Sequence, residues 1–143
     1  MPPPILYTLG TSNRDPTEFI DLLRSNKITS VIDVRSKNGS RVPHFDESRF
    51  HRLSRLLEDR GIAYDASLHE TLGGLHNGKM TLGNFRTFQK TPQYQAAIQE
   101  LKLKVSQATG STVIICCERD VDKCHRKFIG DTLKAEGWTI VHL

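Results

Sequence analysis

The chain has 143 residues, of which 37% are hydrophobic and 25% charged, and its formal net charge is +4. We expect a soluble globular protein with a buried core, because no apolar run approaches the roughly 20 residues of a membrane span. The N-terminus has no basic segment before an apolar one, and three cysteines are an odd number, so we expect a cytoplasmic protein with reduced thiols. The basic charge favours anionic partners such as phosphates or nucleic acid.

Strand and helix patterns alternate along the chain. Short apolar runs predict five strands, at 5–10, 29–34, 62–64, 112–116 and 138–141. Helical spacing predicts four helices: one from Pro16, one through Phe50 and Leu57 that ends at Gly61, one over 84–108 interrupted near Pro92, and one over 123–136 that ends at Gly137.

This alternation predicts a single α/β domain over residues 1–143, a three-layer αβα Rossmann-like fold with a mostly parallel five-stranded sheet. Numbering the predicted strands in chain order, we expect the sheet order 3-2-1-4-5, with 2-1-3-4-5 as the alternative.

A polar segment follows each of the first four predicted strands. The segments are Gly10-Thr11-Ser12-Asn13-Arg14, Asp33-Val34-Arg35-Ser36, Glu70-Thr71-Leu72-Gly73-Gly74, and the stretch from Cys116 to Arg126. Ligands of open α/β sheets bind outside the carboxyl ends of the strands, so we expect the four segments to converge on one site.

Each of the earlier segments has a functional and a structural interpretation. The first segment is either an anion-binding helix start or an ordinary turn. Asp33 either binds substrate, pairs with Arg35 or caps a neighbouring helix. The basic loop 35–44 is either a clamp on a phosphate backbone or a solvated surface loop. The connection 68–83 is predicted to have no secondary structure and to be either an active-site lid or a disordered loop. Glu70 within it is predicted to face the carboxyl edge of the sheet, where it could join Glu118 or Asp33 as an acid and base pair.

All three cysteines lie in the fourth segment. If the strand continues, Cys116 and Cys117 point to opposite sides, one into the site and the other into the core. Asp122 as N-cap places Cys124 and His125 in the first helical turn, where the helix dipole and nearby basic residues favour a thiolate. The helical wheel points His125 inward, either as a core histidine or for proton transfer.

The spacing of these cysteines satisfies no familiar motif. A phosphatase or rhodanese-type loop typically has arginine six positions after its cysteine, where this chain has Asp122 or Lys123. Cys116 and Cys124 are too far apart for a common zinc pair, and the chain has no Cys-x-x-Cys. We therefore predict no metal site and no cofactor.

The ordered segments Gly10-Thr11-Ser12-Asn13-Arg14, Asp33-Val34-Arg35-Ser36, Leu72-Gly73-Gly74, Cys116-Cys117-Glu118-Arg119 and Cys124-His125-Arg126 resemble the domain of unknown function 488 family. The resemblance spans nearly the whole chain and implies a compact α/β domain with a shared site, in which Cys116 and Cys124 match the two hallmark cysteines. The loop 37–41 departs from the family pattern, because it lacks the aromatic residue and proline often found there. The family supplies no settled reaction.

The leading hypothesis is an enzyme, a hydrolase or group transferase, that acts on a phosphorylated or nucleotide-like substrate, including one within nucleic acid. The catalytic candidates are Glu118, Cys116, Cys124, His125, Asp33 and Glu70. The anion-binding candidates are Ser12, Asn13, Arg14, Arg35, Ser36, Arg41, Gly73, Gly74, Arg119 and Arg126. The alternatives are a non-catalytic nucleotide or nucleic-acid binding module and a thiol sensor in which Cys116 and Cys124 form a disulfide. The sequence leaves monomer and homodimer open.

Overall fold

The computed structural model describes residues 4–10, 16–34, 54–68, 72, 75–76, 79–80, 82–116 and 126–143. The strands in these ranges are β1 (Ile5–Gly10), β2 (Ile28–Asp33), β3 (Ala63–Asp65), β4 (Leu75–His76), β5 (Lys79–Met80), β6 (Ser111–Cys116) and β7 (Thr139–His142). The helices are α1 (Pro16–Ser25), α2 (Leu82–Gln89), α3 (Pro92–Gln107) and α4 (Arg126–Ala135), and residues 54–58 are also helical. No helix in the described part of the chain is long and apolar enough to cross a bilayer.

Five strands form one sheet in the order β3-β2-β6-β1-β7, and every neighbouring pair is parallel. This confirms the predicted α/β class with a five-stranded parallel sheet. Both predicted strand orders are wrong, because each places the first strand beside the second. The structure inserts β6 between β1 and β2, since the crossover through α1 and the crossover through α4 each pass over one strand position.

The sheet buries apolar side chains on both faces, as expected where helices cover a parallel sheet on each side. The face covered by α1 and residues 54–58 carries the α1-side core: Leu9, Phe19, Ile20, Leu23, Ile28, Val31, Leu57, Ile62, Val113 and Ile115. The face covered by α3 and α4 carries the α4-side core: Leu6, Ile32, Val34, Leu68, Leu72, Tyr94, Ala97, Ile98, Leu101, Ile114, Cys116, Phe128, Ile129 and Leu133. Adjacent residues of a strand, such as Ile114 and Ile115, therefore belong to different cores.

The ends of the helices follow from local sequence. Pro92 takes the first position of α3, where no backbone N–H is needed, and the Thr91 hydroxyl oxygen accepts a hydrogen bond from the backbone nitrogen of Tyr94 at 3.3 Å. This confirms the predicted interruption near Pro92. Gly61 and Gly137 have φ angles of 73° and 94°, which glycine adopts without steric cost, and they follow helical residues as predicted.

The connection 68–83 was predicted to lack secondary structure, and this prediction is wrong. Strands β4 and β5 pair antiparallel within it, with Leu75 opposite Met80 and His76 opposite Lys79. Only Asn77 and Gly78 separate the two strands, and Asn-Gly between strands is a strong sequence signal for a hairpin. The connection therefore contains an ordered hairpin that leads into α2.

Candidate functional site

The fold has a topological switch point between the adjacent strands β1 and β6. From β1 the chain passes through α1 toward β2, whereas from β6 it passes through α4 toward β7 on the other face of the sheet. The two connections leave in opposite directions, and in α/β sheets ligands usually bind in a crevice at such a point, so the carboxyl ends of β1 and β6 are the candidate site. Gly10 and Cys116 are the paired last residues of these strands.

Arg126 is a buried side chain at this edge of the sheet, on the α4-side face. Its Nη1 donates to the Thr8 hydroxyl oxygen at 3.0 Å, and its Nε donates to the Cys116 sulfur at 3.2 Å. Arg126 and Thr8 are 0% exposed and Cys116 is 2% exposed. One side chain thus connects α4 to the adjacent central strands β1 and β6.

The position of Arg126 follows from the spacing of buried residues on α4. Arg126, Ile129, Gly130 and Leu133 recur at helical spacing and are all buried, so they form the stripe that faces the sheet. An arginine at the first turn of this stripe reaches the carboxyl ends of the strands. Burying a guanidinium is costly unless its N–H groups are hydrogen-bonded, and the polar atoms of Thr8 and Cys116 accept two of those bonds.

Asp33 lies at the same edge of the sheet, at the end of β2. Its carboxylate is fully buried and its Oδ2 accepts a hydrogen bond from the Tyr64 hydroxyl at 2.7 Å. Asp33 is paired with Ile115, a residue of the α1-side core. Because side chains alternate along a strand, Asp33 and Cys116 point to opposite faces at neighbouring strand ends.

One residue of the third polar segment, Leu72, is described, and it belongs to the same core as Cys116. Leu68 and Leu72 flank Glu70, are almost completely buried, and belong to the α4-side core that also contains Cys116 and Val34. The backbone nitrogen of Leu72 donates to the carbonyl oxygen of Leu68 at 2.8 Å. Leu68 and Leu72 therefore belong to the same core as the strand that carries the thiol.

The predicted site residues divide into two groups. The structure describes Asp33, Cys116 and Arg126, and it brings the last two into contact. The other candidates lie outside the described residues: Ser12, Asn13, Arg14, Arg35, Ser36, Arg41, Glu70, Gly73, Gly74, Glu118, Arg119, Cys124 and His125. The loop 35–44, Phe50, Cys117 and the proposed cap Asp122 also lie outside them.

Three polar residues of this region were not predicted from the sequence. The Thr8 hydroxyl accepts a hydrogen bond from Arg126, and the Tyr64 hydroxyl donates one to Asp33. The Nδ1 atom of His142 lies 2.6 Å from the Thr8 hydroxyl oxygen. A signal for Thr8 does exist, because it is a hydroxyl residue between Leu6 and Leu9 in an otherwise apolar strand. Within the described ranges, no three His, Cys, Asp or Glu residues form a group that could hold a metal ion.

The fold and this edge define a three-layer α/β protein with a buried arginine and thiol at the switch point of a parallel sheet. Residues 15–133 match the family model named Domain of unknown function DUF488. The match covers well over half of the chain, so the chain belongs to this family. No curated protein and no solved structure matches the chain.

Proposed function

We propose that this protein is an enzyme, a hydrolase or group transferase, that acts on a phosphorylated or nucleotide-like substrate at the carboxyl ends of β1 and β6. The observation that carries the proposal is the buried Arg126 guanidinium, which contacts both the Cys116 sulfur and the Thr8 hydroxyl at this position. A fixed positive charge in a region of low dielectric attracts an anion far more strongly than one in water.

Arginine suits this role because its planar guanidinium binds phosphate oxygens through paired N–H groups. In this proposal Arg126 provides the fixed charge at the base of the crevice. The remaining anion contacts come from the segments that follow β1, β2, β3 and β6: Ser12, Asn13, Arg14, Arg35, Ser36, Arg41, Gly73, Gly74 and Arg119. The chain's net charge of +4 favours the approach of such a substrate.

Bond cleavage requires a group that accepts a proton and one that donates it. Glu118, Asp33, Glu70 and His125 are the proposed acid and base residues. Asp33 is held in place by the Tyr64 hydroxyl, which fixes one carboxylate oxygen at the end of β2. Cys116 and Cys124 are the proposed nucleophiles, since an arginine beside a thiol favours the thiolate, the nucleophilic form of cysteine.

A second candidate is a nucleotide or nucleic-acid binding module without turnover. The burial of Cys116 favours it, because a thiol that is 2% exposed and packed in the α4-side core also fits a structural role. In that case Arg126 and the basic segments bind phosphate, and affinity falls steeply as salt concentration rises.

The deciding experiment is a thermal-shift panel of nucleoside mono-, di- and triphosphates, sugar phosphates, inorganic phosphate and short oligonucleotides. At about 100 times its Kd, a true ligand stabilises the fold by about 2.7 kcal/mol, or roughly 5 to 10 °C in Tm. We expect Glu118→Gln and Cys124→Ser to keep the ligand-free Tm and lose this shift. Glu100→Gln, an exposed change on α3, is the matched control that keeps it.

Turnover separates the two candidates. Phosphorus NMR of each stabilising compound, incubated with the native protein, is expected to show a new product that the Glu118→Gln variant does not form. Binding without product, unaffected by Cys116→Ser or Glu118→Gln, supports the binding module instead. No stabilisation by any member of the panel overturns both.

A further inference from the structure

A line of hydrogen bonds runs from an exposed histidine to the buried thiol. His142 Nδ1 lies 2.6 Å from the Thr8 hydroxyl oxygen, which accepts from Arg126 Nη1 at 3.0 Å, while Arg126 Nε donates to Cys116. His142 is exposed on β7, whereas the other three residues are buried. The line thus crosses from the edge strand β7 through β1 and α4 to β6.

The His142 imidazole is held against α4 as well as against β1. A Cβ atom placed on Gly130 would lie 3.5 Å from His142 Cε1 and 3.2 Å from Ile140 Cγ2. Glycine at this position therefore leaves room for the imidazole between the helix and Thr8. Register also favours the contact, because His142 and Thr8 are directly paired on β7 and β1.

The hydroxyl of Thr8 makes this line sensitive to protonation. Its oxygen already accepts from Arg126, so its own hydrogen is available to donate to His142 Nδ1, provided that Nδ1 carries no proton. When the imidazole gains a second proton, Nδ1 becomes a donor and the Thr8 oxygen then faces two cationic donors. The oxygen can accept from both donors, but its own hydrogen then loses the acceptor at Nδ1, and two positive charges converge on one hydroxyl.

The other charged groups near His142 can be named for the described part of the chain. On α4, the charged residues within one turn of Gly130 are Arg126, Lys127, Asp131 and Lys134. On β1, Thr8 is uncharged, and the titratable Tyr7 packs against the α1-side core on the opposite face. Strand β7 carries no other titratable side chain. Three of these four charged residues are cationic and one, Asp131, is anionic. Arg126 is the cation that contacts the same hydroxyl as His142.

We propose that His142 is a positioning residue that, through Thr8, controls the placement of Arg126 at the crevice according to its own protonation. Neutral His142 accepts from Thr8 and keeps the hydroxyl oxygen turned toward Arg126. Protonated His142 donates to the same oxygen and its positive charge repels the guanidinium, so Arg126 shifts relative to Cys116. That this shift regulates an active site rests on the proposed function, but the coupling itself is a property of the fold.

The test is an NMR titration between about pH 5 and pH 8, the range in which histidine usually changes charge. The probe is the Nε–H resonance of Arg126, identified by its loss in Arg126→Lys. In the native protein this resonance is expected to shift with the same midpoint as the His142 ring. In His142→Asn, which keeps an acceptor but cannot titrate, the shift is expected to be absent.

Two changes at Thr8 separate the coupling from a packing effect. Thr8→Val removes the hydroxyl at nearly constant volume, so His142 still titrates while the Arg126 resonance no longer follows it. Thr8→Ser restores the hydroxyl and is expected to restore the shift. A native Arg126 resonance that ignores pH, or one that still shifts in His142→Asn, overturns the proposal. The NMR measurement uses no substrate. If no compound of the thermal-shift panel stabilises the protein but this coupling is present, the proposed function is overturned and the coupling is not.

Discussion

Arg126 donates its Nε hydrogen to the Cys116 sulfur at a point where neither side chain is more than 2% exposed. The contact joins the first described residue of α4 to the last residue of β6, so the segment 117–125 begins and ends at one place. Four of the residues predicted to form the site, Glu118, Arg119, Cys124 and His125, lie in that segment. The residues that flank this segment, Cys116 and Arg126, are therefore both fixed in the core at the carboxyl edge of the sheet.

Replacing Arg126 by methionine is expected to lower the free energy of unfolding by about 3 kcal/mol, because it removes a charged donor from two buried acceptors. Lys127→Met, at the next and partly exposed position, is the control and is expected to change it by less than about 0.5 kcal/mol. Urea unfolding followed by circular dichroism measures both. Equal stability of the two variants would show that the buried contacts of Arg126 contribute little.

Thr8 and Thr112 provide a matched pair of buried hydroxyls on neighbouring strands. Thr8→Val is expected to cost about 1 to 2 kcal/mol, since Arg126 loses an acceptor. The Thr112 hydroxyl is buried and has no hydrogen-bond partner within the described structure, so Thr112→Val is expected to be neutral or to stabilise by about 1 kcal/mol. Chemical denaturation distinguishes them, and a Thr112→Val variant as unstable as Thr8→Val contradicts the assignment.

The carboxylate of Asp65, which contacts Lys104 in the last turn of α3, makes the stability of the fold depend on pH. Burial raises its pKa, but the hydrogen bonds from Lys104 at 2.5 Å and from the Ser67 backbone at 2.7 Å, with the charge of Lys104, hold it below 3.8. The folded state therefore binds this proton less readily than the unfolded chain. The stabilisation is complete above about pH 4 and is lost as pH falls through the folded pKa.

Asp65→Asn is accordingly expected to lower stability at pH 7 by at most about 1 kcal/mol, because the pair is partly exposed. Near pH 2 the difference between the variant and the native protein is expected to disappear. Lys104→Met removes the main donor and is expected to show the same pattern. Urea midpoints measured from pH 2 to pH 7 test this, and a difference that is constant with pH would contradict it.

Gly110 packs tightly against Thr29. A Cβ atom on Gly110 would lie 2.6 Å from Thr29 Cγ2 and 2.9 Å from its Oγ1, closer than these atoms can approach. Gly110→Ala is therefore expected to cost about 1 to 3 kcal/mol. The double change with Thr29→Ala is expected to recover most of that loss, as a double-mutant cycle would measure. Simple additivity of the two changes would rule out the contact as the cause.

The sequence predicts the class of the fold well and the order of its strands poorly, for one physical reason. Periodicity shows that β1 and β6 are buried on both faces, but any two interior strands look the same by this criterion. Their order depends on which crossovers pass over a neighbour, and this is decided by packing between distant residues. The interruption at Pro92 was predictable because Thr91 and Pro92 act locally.

The site shows the same division between local and distant causes. Parallel strands alone predict that the segments after them begin at one edge of the sheet. They do not predict that Arg126 is buried there. Arginine is rarely fully buried, so the sequence predicts Arg126 as an anion contact and does not predict its burial against Thr8. The hairpin of β4 and β5 is different, because it is predictable from the local pair Asn77-Gly78.

The position of β6 between β1 and β2 also determines how the sheet can assemble. Strands β1 and β2 form no ladder with each other, and both neighbours of β1 come from the last third of the chain. During synthesis β1 therefore has no neighbouring strand of the sheet until β6, at residues 111–116, has been made. Strands β2 and β3 can pair early, but adding β1 depends on contacts between residues more than 100 positions apart, which are slow to form.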